Sequence, residues 1–312
     1  MAPGILLVLL TALISGVSVF VNGYAVQGAS PDAFVAVRNV AVAAMLVPLA
    51  LLAGRTARAK LTRAAWGRLA GIGLVGGAIP FLLFFRGIQM ATAVGGAATA
   101  SFGYRTLFLM ATVLGVVALK ERFSRRVALA AGLLLAGNAI LLSLTAPVWT
   151  DGTAYVLAAT ALWAGEYTLS KRALRDLPSG TVALGRMGFG GAFLIAYVAL
   201  SGQLGAVASF GAVQWQWVAL SAVLLVGFVT TWYAGLKSVD LSVATSVLVL
   251  SFPVTWALTA AVAGTGLTVA AAAGAVTVVL GVALAIGAVS LRETWAYLVR
   301  AAAARIRSAT RR

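Results

Sequence analysis

Ten stretches of about 20 mainly apolar residues divide the chain, and short polar or charged segments separate them. A helix needs about 20 such residues to cross the hydrocarbon core of a bilayer. The predicted helices cover residues 3–22, 32–53, 67–86, 94–118, 127–146, 152–170, 180–200, 216–236, 241–262 and 269–290. The pattern predicts an all-α integral membrane protein with ten transmembrane helices. The first stretch is predicted to be one of them and not a cleaved secretory signal, because no Lys or Arg precedes its apolar core.

Composition agrees with this class and narrows the chemistry. Of the 312 residues, 62% are hydrophobic and 10% are charged, too few polar groups to cover a water-soluble domain. Cysteine and histidine are both absent, so the chain has no disulfide framework, no thiolate site and none of the imidazoles that commonly bind metals or carry protons. We expect no metal site and no cofactor.

The basic residues lie almost entirely on one side of the predicted bundle. If the N-terminus is cytoplasmic, every Lys and Arg but four falls in an inner connection or in the tail, and the outer connections contain none. Lys and Arg are enriched in cytoplasmic loops, so we expect both termini to be cytoplasmic, in a prokaryotic plasma membrane. This orientation, with attraction to anionic lipid headgroups, explains the net charge of +16 and leaves no reason to expect nucleic-acid binding.

Four basic residues remain outside the inner surface, Arg38, Arg86, Arg105 and Arg186, and one acidic residue, Glu166, falls well inside a predicted helix. An Arg near the centre of a bilayer costs about 2.5–3.5 kcal/mol, so such groups usually face a partner or a water-filled cavity. Because of this cost, these five residues are the first candidates for function.

The predicted depths of the five residues suggest how they group. Arg38 and Arg86 lie toward the outer surface, where long side chains can also reach water directly. Glu166 and Arg186 lie at similar depths on consecutive helices, which are expected to be neighbours, so an ion pair or a shared ligand fits them. Arg105 lies near the middle of the membrane.

The chain contains an internal repeat. "GIQMATAVGGAATASFGYRTLFLMATV" from Gly87 aligns with "GLKSVDLSVATSVLVLSFPVTWALTAAV" from Gly235, and Arg105 then falls opposite Pro253. Five helices per half is an odd number, so the halves must insert in opposite orientations, as in many secondary transporters. The predicted units are a first five-helix repeat, 1–146, a second, inverted repeat, 147–290, and a basic cytoplasmic tail, 291–312.

Two motifs resemble the drug/metabolite transporter superfamily, in particular its ten-helix members with two EamA domains. The first half carries Glu121 after its fourth helix, and "LWAGEYTLSKRAL" in the second half places Trp163 and Ala164 before the basic pair Lys171 and Arg172. The resemblance covers nearly the whole chain. It implies a membrane transporter with a central cavity shared by two repeats, and cargo such as small metabolites, amino acids, nucleotide derivatives or drugs.

The chain departs from the family pattern at two positions. Thr265 stands where a second acidic residue is often found, which weakens any symmetric role for Glu121. Arg105 stands where the family frequently has proline, which suggests a subfamily with its own chemistry.

Helical spacing builds a candidate substrate site around two of the charged residues. Its proposed members are Arg105, Glu166, Arg186, Tyr104, Trp163, Tyr167, Ser101, Arg86 and Arg38. Such a site suits a small zwitterion or a carboxylated metabolite, with Arg105 holding an anionic group. Glu166 is expected to act either as a partner for a cation or as a titrating group that couples transport to protons. The alternative is structural: Arg105 and Glu166 pair with each other, or with Arg186, and fix helix packing.

Two prolines are predicted to break the hydrogen-bond pattern of membrane helices. Pro80 leaves the carbonyl of Gly76 without its helical donor, and Pro253 does the same for Val249. At membrane depth such groups need partners from the protein or from a wet cavity.

A membrane protein that is not a carrier is the second class considered: an intramembrane enzyme, a lipid scramblase or an assembly subunit. Acid–base or nucleophilic catalysis needs a matched set of groups, and with one carboxylate deep in the membrane and no His or Cys we expect no enzyme. Scrambling would require a polar groove open to lipid, whereas the repeat predicts a closed cavity.

Overall fold

The computed structural model of the protein describes residues 2–25, 30–53, 61–144, 147–264 and 268–287. Within these residues all regular structure is helical. The long helices are α1 (Ala2–Ala25), α2 (Pro31–Ala53), α3 (Arg63–Ala93), α4 (Ala97–Leu119), α5 (Arg125–Leu141), α6 (Asp151–Ala173), α7 (Ser179–Leu200), α8 (Ala212–Ser238), α9 (Leu241–Ala263) and α10 (Val269–Ile286). A short helix, Leu204–Ala208, precedes α8. The basic tail, 291–312, and Thr265 lie outside the described residues.

Eight of these helices are long and apolar enough to cross a membrane, which makes the chain a multi-pass membrane protein. The other two are α5 and α6. Helix α5 is shorter, with 17 residues. Helix α6 is less apolar, since it carries Glu166, Lys171 and Arg172 in addition to its first residue, Asp151. Both lie among the other helices of the bundle. The number of ten crossings stays a prediction for these two.

Hydroxyl side chains begin several of the helices. Thr62, Ser124, Thr150 and Thr268 each accept a hydrogen bond from the backbone N–H three residues further on. The first turn of a helix leaves such N–H groups without partners, so these residues determine where α3, α5, α6 and α10 begin.

The helix bounds give the register of the repeat between α4 and α9. Each of these helices has 23 residues. Each is interrupted once, α4 at Thr106 and α9 at 249–250. Each is followed by a residue with left-handed backbone, Lys120 after α4 and Gly264 after α9. Residues 97, 106 and 120 therefore correspond to 241, 250 and 264, a constant shift of 144. Arg105 corresponds to Val249, and the alignment that placed it opposite Pro253 is wrong by four residues.

The closest helix pairs each join the first half of the chain to the second. They are α5 with α10, α1 with α8, α2 with α7, and α3 with α6. If the second half repeats the first, helices α1 to α5 correspond to α6 to α10. The pair α1–α8 then corresponds to the pair α6–α3. The pairs α2–α7 and α5–α10 each join a helix to its own counterpart. These pairings are those expected of two repeats related by a pseudo-two-fold axis.

Glycines permit the close approach at several of these contacts. The backbones meet at Gly4 and Gly235, at Gly77 and Gly190, at Gly87 and Gly152, and at Gly137 and Gly274. Small residues let helix backbones come together in a membrane, where van der Waals packing replaces the hydrophobic effect as the main attraction. Each of the four contacts joins one half to the other.

Replacing Gly190 with Ala is expected to lower Tm by several degrees. A Cβ there would lie 2.7 Å from the Cα of Gly77, and overpacking of this kind typically costs about 1–3 kcal/mol. The matched control is Gly188→Ala on the same helix, where nothing lies within 4 Å. Because Ala is favoured over Gly in a helix by about 1 kcal/mol, the control should keep or raise Tm. Thermal unfolding of detergent-purified protein checks this, and equal Tm values for the two variants would contradict the close contact.

Candidate functional site

A cavity of about 360 Å³ lies between the two halves of the bundle. Helices α1–α4 and α6–α9 line it, and α5 and α10 contribute none of its lining in the described part of the chain. On α1 the lining runs from Ser15 to Gly23, in the second half of that helix. Gly4, near the beginning of α1, packs against Ser238 at one end of the bundle, and we call this end the N-terminal end. The cavity lies nearer the opposite end.

Seven of the nine residues singled out in the sequence line this cavity. They are Arg38, Ser101, Tyr104, Arg105, Trp163, Tyr167 and Arg186. Glu166 is 0% exposed and lies behind the lining, and Arg86 lies elsewhere. The structure thus brings together residues from α2, α4, α6 and α7 that are far apart in the chain.

Glu166 pairs with Arg186. The Arg186 Nε lies 3.6 Å from the Glu166 Oε2, and neither atom has a hydrogen-bond partner. The other carboxylate oxygen, Oε1, accepts hydrogen bonds from the hydroxyls of Tyr233, at 2.8 Å, and Ser170. Of the partners considered for Glu166, the structure therefore shows Arg186 and not Arg105.

The pair forms across helix α3. The ion pair joins α6 to α7, and α3 packs against both of these helices. A Cβ at Gly76 would lie 2.2 Å from the Glu166 Cγ, and one at Gly77 would lie 2.7 Å from the Arg186 carbonyl oxygen. The two glycines leave a face of α3 without side chains, and the Glu166 side chain and the backbone of α7 occupy it.

The carbonyl of Gly76 has the partners that its position before Pro80 requires. It accepts hydrogen bonds from the Trp163 Nε1, at 3.1 Å, and from the Arg186 Nη2, at 3.2 Å. The backbone here forms a π-helical segment, Gly73–Ala78. The prediction that this carbonyl needs a donor from another part of the protein is confirmed, and two cavity residues supply it.

Pro253 has a smaller effect than expected. It lies in the first turn of the second segment of α9, Ser251–Ala263, where a missing N–H costs little. The Val249 carbonyl accepts from the Phe252 N–H at 3.1 Å, so the interruption of α9 is satisfied locally.

Arg105 ends the first segment of α4, Ala97–Arg105. Its Nη1 donates to the Asn138 Oδ1 at 3.0 Å, and its guanidinium lies over the Phe252 ring, 4.3 Å from the centroid. The residue thus contacts one neutral amide and one ring. In the described part of the chain it forms no ion pair.

Arg38 is buried, with 4% of its surface exposed. Its guanidinium donates to the side-chain oxygen of Asn39 and lies 5.3 Å from the centroid of the Phe81 ring. Asn39 in turn donates to the Gly77 carbonyl at 3.0 Å. The described acidic residues form no ion pair with Arg38 either.

Four rings form a continuous side of the cavity, which we call the aromatic wall: Phe81, Trp163, Tyr104 and Phe252. Successive centroids are 5.3, 5.4 and 5.9 Å apart, and each pair meets edge to face. This geometry is favourable because the positive edge of one ring meets the negative face of the next. Arg38 stands at the Phe81 end of the wall and Arg105 at the Phe252 end.

Arg86 does not reach this cavity. It is exposed and lines a second cavity with Asp32, Gln89 and Tyr155, near the beginnings of α2 and α6. The structure therefore places Arg86 apart from the other proposed site residues, with its side chain exposed. An exposed side chain near a helix end reaches water without a cavity.

Three partners of the charged residues were not among the predicted site residues. Tyr233 binds the carboxylate of Glu166, and Asn39 and Asn138 bind the two arginines. Asn138 carried a usable signal, since a lone amide in an apolar helix needs a partner as a charge does. Tyr233 carried none, because tyrosines are common in membrane helices.

Glu121, the acidic residue of the family motif, binds the first residues of α9 at the N-terminal end. Its carboxylate accepts from the backbone N–H groups of Leu241 and Ser242 and from the Ser242 hydroxyl, the last at 2.8 Å. A carboxylate is favourable at a helix N-terminus, where unpaired N–H groups carry positive partial charge. Glu121 thereby links the first half of the chain to the second.

Two basic residues at the end of α6 bind helix C-termini at the same end of the bundle. The Lys171 Nζ donates to the carbonyls of Leu236 and Val239, both at 2.6 Å, and the Arg172 Nη2 donates to the Ala118 carbonyl at 2.7 Å. Asp240 lies in the turn between α8 and α9. Burial raises the pKa of Asp240, the Glu121 carboxylate raises this pKa further, and Lys171 lowers it. Together with Glu121, these contacts join α4, α6, α8 and α9 at the N-terminal end.

The fold and the site define a multi-pass membrane protein with two related halves around a cationic and aromatic cavity. The model of the EamA-like transporter family matches the chain twice, over residues 2–143 and 151–287. The chain belongs to the EamA-like transporter family, and the resemblance to the drug/metabolite transporter superfamily is confirmed.

One solved structure gives the same picture of the fold. A crystal structure of a protein with 20% sequence identity aligns over 90% of this chain and 97% of its own, with a TM-score of 0.71. No curated protein matches the chain. At 20% identity the likeness concerns the fold alone.

Replacing Glu166 with Gln is expected to lower Tm strongly, because Arg186 would remain buried without its counter-ion, which typically costs about 3–5 kcal/mol. Asp176→Asn is the matched control, since it breaks the exposed pair of Arg68 and Asp176, at 2.9 Å, and such pairs contribute at most about 1 kcal/mol. The double variant Glu166→Gln with Arg186→Gln should recover part of the loss. Thermal unfolding tests all three, and a Glu166→Gln variant no less stable than Asp176→Asn would refute a buried ion pair.

Proposed function

We propose that the protein is a secondary active transporter that moves a small organic anion across the plasma membrane by alternating access. The observation that supports this most is the cavity itself. Three arginines line it, and among the described residues the only acidic group paired with any of them, Glu166, lies behind the lining. A zwitterion such as an amino acid fits less well, because no described carboxylate lines the cavity to receive its ammonium group.

We further propose ten crossings in two inverted units, 1–146 and 147–290, with both termini and the basic tail in the cytoplasm. The one-sided distribution of Lys and Arg supports this orientation, and the basic residues would contact anionic headgroups. The N-terminal end of the bundle would then face the cytoplasm, and the cavity would be reached from the outer side.

In this mechanism the two halves move relative to each other around the cavity. Arg105 would hold an anionic group of the substrate, and the aromatic wall would contact its apolar part. The contacts of Glu121 with α9 and of Arg172 with α4 join the two halves and would hold the cytoplasmic side closed in the state described. Opening that side would require them to separate.

Glu166 is proposed to couple transport to protons through Arg186. Arg186 contacts both Glu166 and the cavity, so an anion that attracts Arg186 competes with the Glu166 carboxylate for it. This would make Glu166 a titrating coupler and not a ligand for a cation.

A non-carrier function has less support. Eight helices surround the cavity, whereas a scramblase needs a polar groove open to lipid. The described residues hold no cluster of His, Cys, Asp or Glu suited to a metal, and the cavity lining lacks the paired groups of acid–base catalysis. An enzymatic activity and a bound cofactor are therefore not proposed.

Replacing Arg105 with Met is expected to abolish uptake of small carboxylates into liposomes, because an anion in the cavity would lose its charged contact. Arg122→Met is the control, since Arg122 is exposed at the N-terminal end and should transport as the wild type does. Uptake of a labelled aromatic carboxylate measures both. If Arg105→Met takes up the carboxylate normally and shows only a lower Tm, Arg105 is a packing residue.

Replacing Glu166 with Gln is expected to make transport insensitive to a pH gradient, because the amide cannot titrate. The measurement is initial uptake with and without an imposed gradient, scaled to the amount of folded protein. A Glu166→Gln variant that responds to the gradient as the wild type does would rule out coupling through this residue.

A further inference from the structure

The cavity holds two positive charges that the described residues do not neutralise. Arg186 has Glu166 beside it, so the net charge of that pair is zero. Arg38 and Arg105 bind the neutral amides of Asn39 and Asn138 and form no ion pair in the described part of the chain. Two uncompensated charges away from bulk water are unfavourable, and a ligand with two negative charges would compensate both.

The two arginines lie at different places on the cavity surface. Arg38 is anchored through Asn39 to α3, at the Gly77 carbonyl, and Arg105 is anchored to Asn138 on α5. The four rings of the aromatic wall lie in sequence between them. A ligand that reaches both therefore needs two separated anionic groups and an apolar part between them.

The contacts of the two guanidinium groups leave them able to bind such groups. Each has a ring at its side, Phe81 for Arg38 and Phe252 for Arg105. A guanidinium that lies over an aromatic face keeps N–H groups at its edge, and these fit a carboxylate with two parallel hydrogen bonds. The rings themselves favour a flat apolar body, which stacks or meets them edge to face.

We propose that the preferred substrate is a dianion with two carboxylate-like groups at opposite ends of a flat apolar body, one on Arg38 and the other on Arg105. This inference rests on the proposed function and specifies its substrate class. A monoanion of the same shape neutralises one charge only. A zwitterion places an ammonium group against the second arginine, and Glu166 is out of its reach.

Three benzoates of nearly equal size test the proposal: terephthalate, with two carboxylates; 4-methylbenzoate, with one; and 4-(aminomethyl)benzoate, a zwitterion. Affinities come from ligand-dependent shifts of Tm with purified protein, and uptake is measured in liposomes. Terephthalate is expected to bind at least about tenfold more tightly than 4-methylbenzoate, as one added charge-assisted contact predicts. The zwitterion should bind most weakly.

Variants of the two arginines show whether these residues cause the preference for the dianion. Arg38→Gln and Arg105→Gln should each reduce the affinity for terephthalate to about that for 4-methylbenzoate, whereas Arg122→Gln should keep the wild-type preference. Tm without ligand shows whether each variant is folded. If either site variant loses its fold, Phe81→Leu and Phe252→Leu replace it, and these should weaken all three ligands together.

The outcomes separate this inference from the proposed function. Equal affinity and uptake for terephthalate and 4-methylbenzoate would overturn the dianion and leave the anion transporter standing. A preference for terephthalate that survives both Arg38→Gln and Arg105→Gln would overturn the assignment of the two arginines. If none of the three compounds binds or is taken up, both proposals fail.

Discussion

The carbonyl oxygen of Gly76 joins three helices in the middle of the bundle. Pro80 cannot donate to it, and so Trp163 from α6 and Arg186 from α7 do. Because α3 has no side chain at this position, Glu166 also comes close enough to pair with Arg186. The position of the charges and of one ring of the aromatic wall thus depends on a residue that has neither a charge nor a side chain.

The glycines that let helices of the two halves meet occur at only a few helix crossings. This leaves room for the cavity elsewhere between the halves. Gly77 and Gly190 bring α3 and α7 together on one side, and Gly87 and Gly152 join α3 and α6. Between Gly77 and Gly87, the large side chains of Phe81, Phe84 and Phe85 on α3 line the cavity. Close packing and the open volume are therefore parts of one pattern of small and large residues along α3.

Charge and helix period predicted much of this from the sequence. The cost of charge in a membrane selected Arg38, Arg105, Arg186 and Glu166, and the missing donor at Pro80 indicated the need for a partner at Gly76. Similar depth on consecutive helices indicated Arg186 as a partner for Glu166, but depth alone left Arg105 open as the alternative, and only the packing around α3 selects Arg186. The repeat register was also misplaced, since apolar helices align almost equally well when shifted by one turn, and the helix ends resolved it.

The contacts made by Glu121 and by Gly76 both join the first half of the chain to the second, and both involve buried groups. Leu241 and Ser242, which donate to Glu121, are 0% and 4% exposed, and the hydrogen bonds at Gly76 lie in the middle of the bundle. Breaking either set leaves buried polar atoms in need of a new partner. The halves are therefore held together by polar contacts at two levels of the bundle, and neither level is joined by apolar packing alone.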